Sequence, residues 1–306
     1  MFGKIAPGAS AREELPKRRW PRINPGYLFI APAVLLMTLL AVYPTFRGVN
    51  LSLLRTIKRT RETSYVGFAN YTAMLADPIF RKAFKQTLLF SGFSSLGHIV
   101  LGFILALVMN AALNRRFMSM CRAVILLPWA LSPIVVAIIT QLWVYPLTSP
   151  ITRVLRALGL SAEFAPLART GSALWTLTAI NVWQFTPFYM LMILAGLQTI
   201  DPGLYDAAKV DGASLVQRIR YVTIPHVREA LLTSALFDLV TTAAYFDLIW
   251  VTTQGGPVRS TEVLATYTYR LAFWNMDWNR AATAGMILLV LCIATSAVVV
   301  VQMQRE

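Results

Sequence analysis

Acidic residues are scarce in this sequence. Its 306 residues include 14 aspartates and glutamates against 28 lysines and arginines, and charged residues together make up only 14%. A chain with so little charge and with 57% hydrophobic residues is far more apolar than a soluble domain. The net charge of +14 does not indicate a nucleic-acid partner, because the basic residues are scattered through segments beside hydrophobic runs, where anionic lipid headgroups are the nearer partners.

Histidine and cysteine are also rare, with two residues of each. No group of residues has the spacing of a metal site, and Cys121 and Cys292 are interpreted as small apolar residues without a disulfide. The chain lacks the G-x-x-x-x-G-K-[ST] phosphate-binding loop and the G-x-S-x-G serine elbow. The sequence therefore predicts no catalytic site, no metal and no bound cofactor in this chain.

Long hydrophobic runs are abundant. A bilayer core about 30 Å thick needs about 20 apolar residues of helix. Six runs reach that length, namely residues 27–46, 86–111, 122–146, 173–197, 230–251 and 281–301. Because apolar and polar residues do not alternate in them, they predict helices and not barrel strands. The predicted fold class is an all-α polytopic membrane protein with six transmembrane helices.

Prolines mark where these helices are expected to end or bend. The first span is predicted to end at Tyr43 and Pro44, because proline removes a backbone donor and clashes with the preceding turn. The third span is expected to begin kinked at Pro128 and Pro133.

A polar island at residues 201–225 has the pattern of two short helices joined by a tight turn. Asp201, followed by proline, is typical of a helix start. Gly212 is expected to end that helix, because glycine accepts left-handed backbone angles. Ser214 begins a capping box that starts the second helix, which Pro225 is predicted to stop. We call this segment the knuckle, and its shape suits a socket on another protein.

The knuckle also carries a family resemblance. Its Asp-Ala-Ala triplet at 206–208, its glycine at 212 and its Ile-Pro pair at 224–225 resemble the EAA loop of permease subunits of binding-protein-dependent ABC importers. The usual loop has Glu and Leu where this chain has Asp206 and Ile224, and both differences keep charge or apolarity. In that family the loop forms a coupling helix that sits in a groove of a cytoplasmic ATPase subunit. The resemblance implies that role for Asp206, Ala207, Ala208, Asp211, Gly212, Ile224 and Pro225.

The resemblance implies partners and a location as well. The partners are a second homologous permease, a cytoplasmic ATPase dimer that binds ATP and Mg²⁺, and an extracytoplasmic solute-binding protein. The implied location is the cytoplasmic membrane of a prokaryote, with a cytoplasmic tail at 1–26, a transmembrane domain at 27–306, a cytoplasmic coupling loop at 198–228 between the fourth and fifth spans, and both termini inside. Charge does not decide this orientation, because the basic residues of the loops divide equally between the two sides.

Three other segments resemble the sugar-importing branch of this family. They are the hydrophilic stretch at 66–80, the fourth span around Trp183 and Pro187, and the Gly-Gly-Pro loop at 255–257 with the short helix after it. The resemblance implies a permease that moves a carbohydrate by alternating access. Sugars, oligosaccharides, polyols and glycerol phosphates are all compatible with it, and the sequence does not choose among them.

Polar side chains inside the predicted fifth span are candidates for the translocation pathway. At helical spacing, Ser234, Asp238, Thr241, Thr242 and Tyr245 fall on a single stripe of this span. A carboxylate at that depth is costly unless it faces water or a partner. The stripe is therefore predicted to line the pathway or a subunit interface, with a purely packing role for Asp238 as an equal alternative.

Two polar residues in other spans have two interpretations each. Gln184 is either a pathway residue or a helix-to-helix hydrogen bond. His98 is either a proton relay or a packing residue, and packing is favoured because no acidic residue lies near it in the sequence. In the same span Gly92 and Gly102 are expected to let helices approach closely. The competing hypothesis for the whole chain is a secondary transporter or channel driven by an ion gradient through Asp238 and His98.

Overall fold

The protein is described by a computed structural model over residues 25–57, 60, 62–111, 115–144, 149–159 and 165–304. The tail predicted at residues 1–26 lies outside these residues except for its last two positions. The chain divides into two compact units, Met1–Arg47 and Gly48–Glu306, and the second contains most of the fold.

Within the described residues, five helices are long and apolar enough to cross a membrane. They are Phe29–Ser52, Pro78–Asn110, Ala173–Leu197, Leu215–Thr253 and Trp278–Gln304. A sixth candidate span consists of Arg116–Ala130 and Pro133–Val144, which meet at a bend of 88°. The predicted all-α fold class is therefore confirmed with five to six spans, and the proline-rich third span is bent as expected.

The described elements follow one another in this order. The α-helices are α1 (Pro25–Met37), α2 (Tyr43–Ser52), α3 (Ala69–Ala76), α4 (Pro78–Asn110), α5 (Arg115–Ala130), α6 (Pro133–Val144), α7 (Pro150–Ala157), α8 (Ala173–Leu197), α9 (Pro202–Val210), α10 (Leu215–Arg218), α11 (Ile224–Ala243), α12 (Asp247–Thr253), α13 (Leu264–Tyr269) and α14 (Trp278–Gln304). Wider π-helical turns occupy Thr38–Val42, Ile219–Thr223 and Arg270–Trp274. A small antiparallel hairpin pairs β1 (Leu54–Thr56) with β2 (Thr63–Tyr65).

Two prolines that were predicted to end helices do not end them. Pro44 and Pro225 each follow a π-helical turn, and the helix continues past both. In an α-helix a proline ring clashes with the carbonyl four residues earlier, whereas a π-helical turn shifts the hydrogen bond to the fifth residue. The backbone N–H of Ile224 accordingly bonds to Ile219 O, just before Pro225. The second arm of the knuckle, from Leu215 onward, is therefore continuous with α11.

The predicted fifth span at 230–251 contains a break. Helix α11 ends at Ala243, where Ala244 leaves helical geometry, and α12 begins at Asp247. Tyr245 lies in the break, so the prediction that it continues a single helical stripe was wrong. The helical pattern in the sequence continues through this point. After the interruption, α12 packs against α6 and α8.

Helices α4 and α8 approach each other with their backbones almost in contact. A Cβ atom on Gly102 would lie 3.1 Å from the backbone nitrogen of Met190, and one on Gly97 would lie 2.7 Å from the Val182 side chain. The prediction of a close approach is confirmed at Gly102. It was wrong at Gly92, where a Cβ would meet nothing within 4 Å. Small residues at such positions let membrane helices pack closely.

This difference predicts opposite outcomes for two alanine substitutions in one helix. Gly102→Ala should lower the thermal midpoint of the purified protein, because overpacking against backbone atoms costs about 1–3 kcal/mol. Gly92→Ala should leave it unchanged or raise it, because alanine favours a helix interior by up to about 1 kcal/mol over glycine. Equal midpoints for the two variants would contradict the close α4–α8 approach.

Candidate functional site

The knuckle begins with α9 and turns at Gly212 as the sequence predicts. The Asp201 carboxylate accepts a hydrogen bond of 2.8 Å from Gly203 N, which caps the helix. At the other end Gly212 has φ +77°. The N–H of Ala213 donates to Ala208 O at 2.9 Å, and the N–H of Gly212 donates to Lys209 O at 3.0 Å. This pair of bonds is a Schellman motif, which needs a left-handed residue at the position of Gly212.

The second arm of the knuckle starts two residues later. The Ser214 hydroxyl accepts from Gln217 N at 3.4 Å, and the Gln217 side chain accepts from Ser214 N at 2.7 Å. The predicted capping box is therefore confirmed. From here the helix runs through the π-helical turn into α11.

The tip of the knuckle presents apolar side chains to its surroundings. Val210, Leu215 and Val216 are 88%, 64% and 72% exposed. Beside them Lys209 donates to the Asp206 carboxylate at 2.8 Å. That hydrogen bond and the lysine charge hold the pKa of Asp206 below its usual value. An exposed apolar surface rimmed by charges is typical of a protein docking site.

The base of the knuckle is attached firmly to the helices. The hydroxyls of Tyr205 and Thr223 are 3.0 Å apart and join α9 to the π-helical turn. Helices α8 and α11 approach closely just above, since a Cβ on Gly196 would lie 2.7 Å from the Ala230 Cβ. Ile200 belongs to the hydrophobic cluster between them and is buried. The base of the knuckle is therefore held against both α8 and α11.

A second cluster of polar groups lies inside the helices around Asp238. His98 Nδ1 of α4 lies 3.0 Å and 3.1 Å from the two carboxylate oxygens of Asp238 of α11. The other ring nitrogen of His98 lies 3.1 Å from Asn181 O of α8, and Thr242 donates to Asp238 Oδ1 at 2.7 Å. Both His98 and Asp238 are fully buried. No acidic residue lies near His98 in the sequence, but the fold brings Asp238, 140 residues away, into hydrogen-bonding distance of its ring.

The other predicted pathway residues differ in how deeply they are buried and in what they contact. Gln184 is buried and donates to Leu131 O at 3.2 Å, where α5 and α6 bend. Thr241 is exposed and donates to the backbone of its own helix. Tyr245 is half-buried, and its ring packs edge-on against Phe185 at 5.5 Å between centroids.

Three side-chain atoms near the break in the fifth span have no hydrogen-bond partner within the described part of the chain. They are Asn181 Oδ1, Gln184 Oε1 and the Tyr245 hydroxyl. Asn181 and Gln184 lie one turn apart on α8, and the Tyr245 hydroxyl is a neighbour of the Asn181 amide. Buried polar atoms are normally satisfied, so a group of three indicates a place for a polar solute or water.

A protein-family model decides what kind of protein this is. The model of the binding-protein-dependent transport system inner membrane component matches residues 98–305, which is more than half of the chain. The chain belongs to this family. It is a permease, a transport component without an active site of its own, and it resides in the inner membrane. Membership decides against the ion-driven secondary transporter or channel.

Curated relatives of this permease come from the same kind of transporter. The sulfoquinovosyl glycerol transport system permease protein SmoG of Agrobacterium fabrum is 33% identical over 273 residues, covering 87% of this chain and 86% of that protein. The trehalose/maltose transport system permease protein MalF of Thermococcus litoralis is 29% identical over 286 residues, covering 92% of this chain and 94% of that protein.

A solved structure has the same fold as this permease. It is a bacterial alginate ABC transporter in complex with alginate pentasaccharide-bound periplasmic protein. One of its chains matches with a TM-score of 0.79 and 23% identity, covering 91% of this chain and 93% of that chain. At that identity the match shows the fold alone.

The permease also contains a charged cluster that was not predicted from the sequence. Glu262 is 1% exposed and pairs with Arg259 at 2.8 Å and with Arg270 at 2.9 Å. The Arg270 guanidinium lies over the rings of Trp250 and Trp274, 5.6 Å and 4.9 Å from their centroids. A glutamate three residues after an arginine is a weak sequence signal, and the second arginine is brought in by α13 and the turn after it.

Proposed function

We propose that this permease moves a carbohydrate across the inner membrane in an importer that is driven by ATP hydrolysis on partner ATPase subunits. The observation that carries the proposal is the knuckle. It combines an exposed apolar tip at Val210 and Leu215 with a rigid base on α8 and α11. A segment that couples an ATPase to a transport pathway requires both properties.

The partners are a second homologous permease, a cytoplasmic ATPase dimer that holds ATP and Mg²⁺, and an extracytoplasmic solute-binding protein. Helix α4 separates the two sides on which these partners would bind, because its 33 residues span about 50 Å. At one end Asp77 pairs with Arg280 at 2.7 Å. At the other end Met109 packs in the hydrophobic cluster that also contains Ile200 and Val227 of the knuckle base. With the knuckle and both termini in the cytoplasm, the Asp77 end faces the binding protein.

Transport then follows from a shift between two packings of the helices. ATP binding closes the ATPase dimer and moves the docked knuckle, and α8 and α11 move with it. The pathway opens outward and accepts the solute from the binding protein, and hydrolysis restores the inward-facing arrangement. The ATPase drives the cycle because it prefers one of the two arrangements over the other.

Two observations support a carbohydrate as the cargo. The names of relatives such as the trehalose/maltose permease specify sugars or sugar glycosides. The unpartnered oxygens of Asn181, Gln184 and Tyr245 supply hydrogen-bonding capacity without charge. Hydroxyl-rich solutes need such neutral donors and acceptors, because each buried hydroxyl must find a partner.

A substitution that removes one of these polar groups distinguishes a role in transport from a role in packing. Tyr245→Phe should leave the thermal midpoint unchanged, since the hydroxyl has no partner within the described residues. It should lower the uptake rate into proteoliposomes about fivefold, the effect of losing roughly 1 kcal/mol of hydrogen bonding to the solute. Thr242→Val is the contrast, because it removes the 2.7 Å bond to Asp238 and should lower the midpoint. If Tyr245→Phe shows normal uptake, the assignment of Tyr245 to the pathway is wrong.

The function itself is tested with the assembled transporter in proteoliposomes. ATP hydrolysis is measured with the binding protein loaded from a panel of sugars, polyols, glycerol phosphates and amino acids. We expect at least one carbohydrate to stimulate hydrolysis severalfold and to accumulate inside. Stimulation by an amino acid alone would overturn the carbohydrate assignment, and uptake without nucleotide would overturn the ATP-driven mechanism.

A further inference from the structure

The His98–Asp238 pair has no role in a simple pathway, because both side chains are fully buried and turned toward each other. Their hydrogen bonds join three membrane helices. His98 extends from α4, Asp238 and Thr242 from α11, and the carbonyl of Asn181 from α8. Tyr189 of α8 stacks on the imidazole at 5.0 Å between centroids, and Phe185 of the same helix meets it edge-on at 6.2 Å.

The partners of His98 determine how many protons the pair holds. Nε2 faces the carbonyl oxygen of Asn181, which can only accept, so Nε2 carries a hydrogen. Nδ1 faces a carboxyl group, so one further proton must lie between Nδ1 and Asp238. Whichever of the two holds it, the pair has no net charge. Such a pair is tolerated inside a membrane protein, whereas either partner alone in its charged form is costly.

The pair lies where a movement of α11 relative to α4 and α8 would strain it. Helices α4 and α8 pack tightly on either side of His98, at Gly97 against the Val182 side chain and at Gly102 almost backbone to backbone, so we treat them as one body. Helix α11 continues directly from the knuckle. Asp238 lies about 21 Å along it from Ile224, at about 1.5 Å per residue. A displacement of the knuckle that shifts α11 against the α4–α8 body must therefore stretch or break this contact.

We infer that His98 and Asp238 are positioning residues that latch α11 to the α4–α8 body in the resting transporter. The latch opposes the movement that ATP binding imposes through the knuckle until loaded binding protein supplies the remaining free energy. It thereby suppresses ATP hydrolysis when no solute is offered. This inference rests on the proposed docking of the knuckle to an ATPase.

Asp238→Asn tests the latch with little change of shape. The asparagine amide can donate to Nδ1 of a neutral His98, and its oxygen can accept from Thr242, so every hydrogen bond keeps a partner. The variant cannot form the charged His98–Asp238 arrangement, and a neutral hydrogen bond is roughly half as strong as a charge-assisted one. We expect the assembled complex to hydrolyse ATP at least about threefold faster without binding protein, a shift within the usual range for coupling between sites. The solute moved per ATP should fall.

Three comparisons make the result decisive. His98→Gln should raise the same unstimulated rate, and the double variant should resemble the single variants because both break one contact. Asp247→Asn removes an exposed carboxylate from the same span and should change nothing. A purely structural pair would lower the thermal midpoint and leave the unstimulated rate and the ATP yield as in the native protein. That result, or a slower unstimulated rate, would overturn the latch.

The native complex separates this failure from a failure of the proposed function. If loaded binding protein does not stimulate hydrolysis by the native complex, the ATP-driven importer is wrong. If it does stimulate hydrolysis and Asp238→Asn keeps the low unstimulated rate, only the latch is wrong.

Discussion

Gly212→Trp is expected to abolish ATP-driven uptake while the membrane helices stay folded. Gly212 sits at the exposed turn of the knuckle with φ +77°, and a Cβ there would meet nothing within 4 Å. A bulky side chain therefore fits the isolated permease, apart from roughly 1–2 kcal/mol for the left-handed backbone. In the assembled transporter the indole would occupy the ATPase socket. Uptake in proteoliposomes should fall at least about a hundredfold, equivalent to roughly 2.7 kcal/mol of lost docking.

Gly212→Asn is the matched control for this prediction. Asparagine tolerates left-handed backbone angles better than other non-glycine residues and is far smaller than tryptophan. It should keep most of the uptake activity. Gly212→Trp should also fail to co-purify with the ATPase subunits, while its elution volume in detergent stays that of the native permease. Full ATP-dependent uptake by the tryptophan variant would mean that the knuckle tip does not contact the ATPase.

The knuckle was predictable from the sequence because its structure is determined locally. The cap at Asp201, the left-handed turn at Gly212 and the capping box at Ser214 each depend on side chains within a few residues. Such signals act in any tertiary context. The apolar spans were predictable for a similar reason, since a membrane helix satisfies its own backbone hydrogen bonds.

The continuation of helices past Pro44 and Pro225 was not predictable from residue types. A proline is compatible with a helix end and with a π-helical turn that moves the hydrogen bond by one residue. The sequence contains no local signal that separates these outcomes. The consequence for function is large at Pro225, because the second arm of the knuckle and α11 form one continuous helix.

The polar cluster inside the helices depends on tertiary structure. His98 and Asp238 are 140 residues apart, and only the packing of α4 against α11 brings them together. Hydrophobic periodicity places both inside spans without assigning partners. The same limitation applies to Tyr245, whose displacement from the predicted stripe follows from the break between α11 and α12.

Glu262→Ala is expected to cause the largest loss of stability of any single substitution considered for this permease. Both oxygens of the buried Glu262 carboxylate are engaged, one by Arg259 and one by Arg270. Removing the carboxylate leaves Arg270, which is 18% exposed, without its ion-pair partner. The Arg270 guanidinium cannot escape this by losing a proton, as a histidine could, because arginine stays charged in proteins. Breaking a fully buried pair costs about 3–5 kcal/mol, and we expect a loss near the lower end because the Arg270 guanidinium is partly solvated.

The loss should extend beyond the ion pair because Glu262 organises the loop around it. Gln86 of α4 donates to the carbonyl oxygens of Arg259 and Ser260 at 3.0 Å and 2.7 Å, so the loop is fixed to α4 on one side and to Glu262 on the other. Glu229→Ala, which removes an exposed glutamate, is the control and should leave the thermal midpoint within a degree or two. Heating the purified permease and measuring the fraction that remains monodisperse compares the variants. If Glu262→Ala and Glu229→Ala lose stability equally, the Arg259–Glu262–Arg270 cluster does not stabilise the loop.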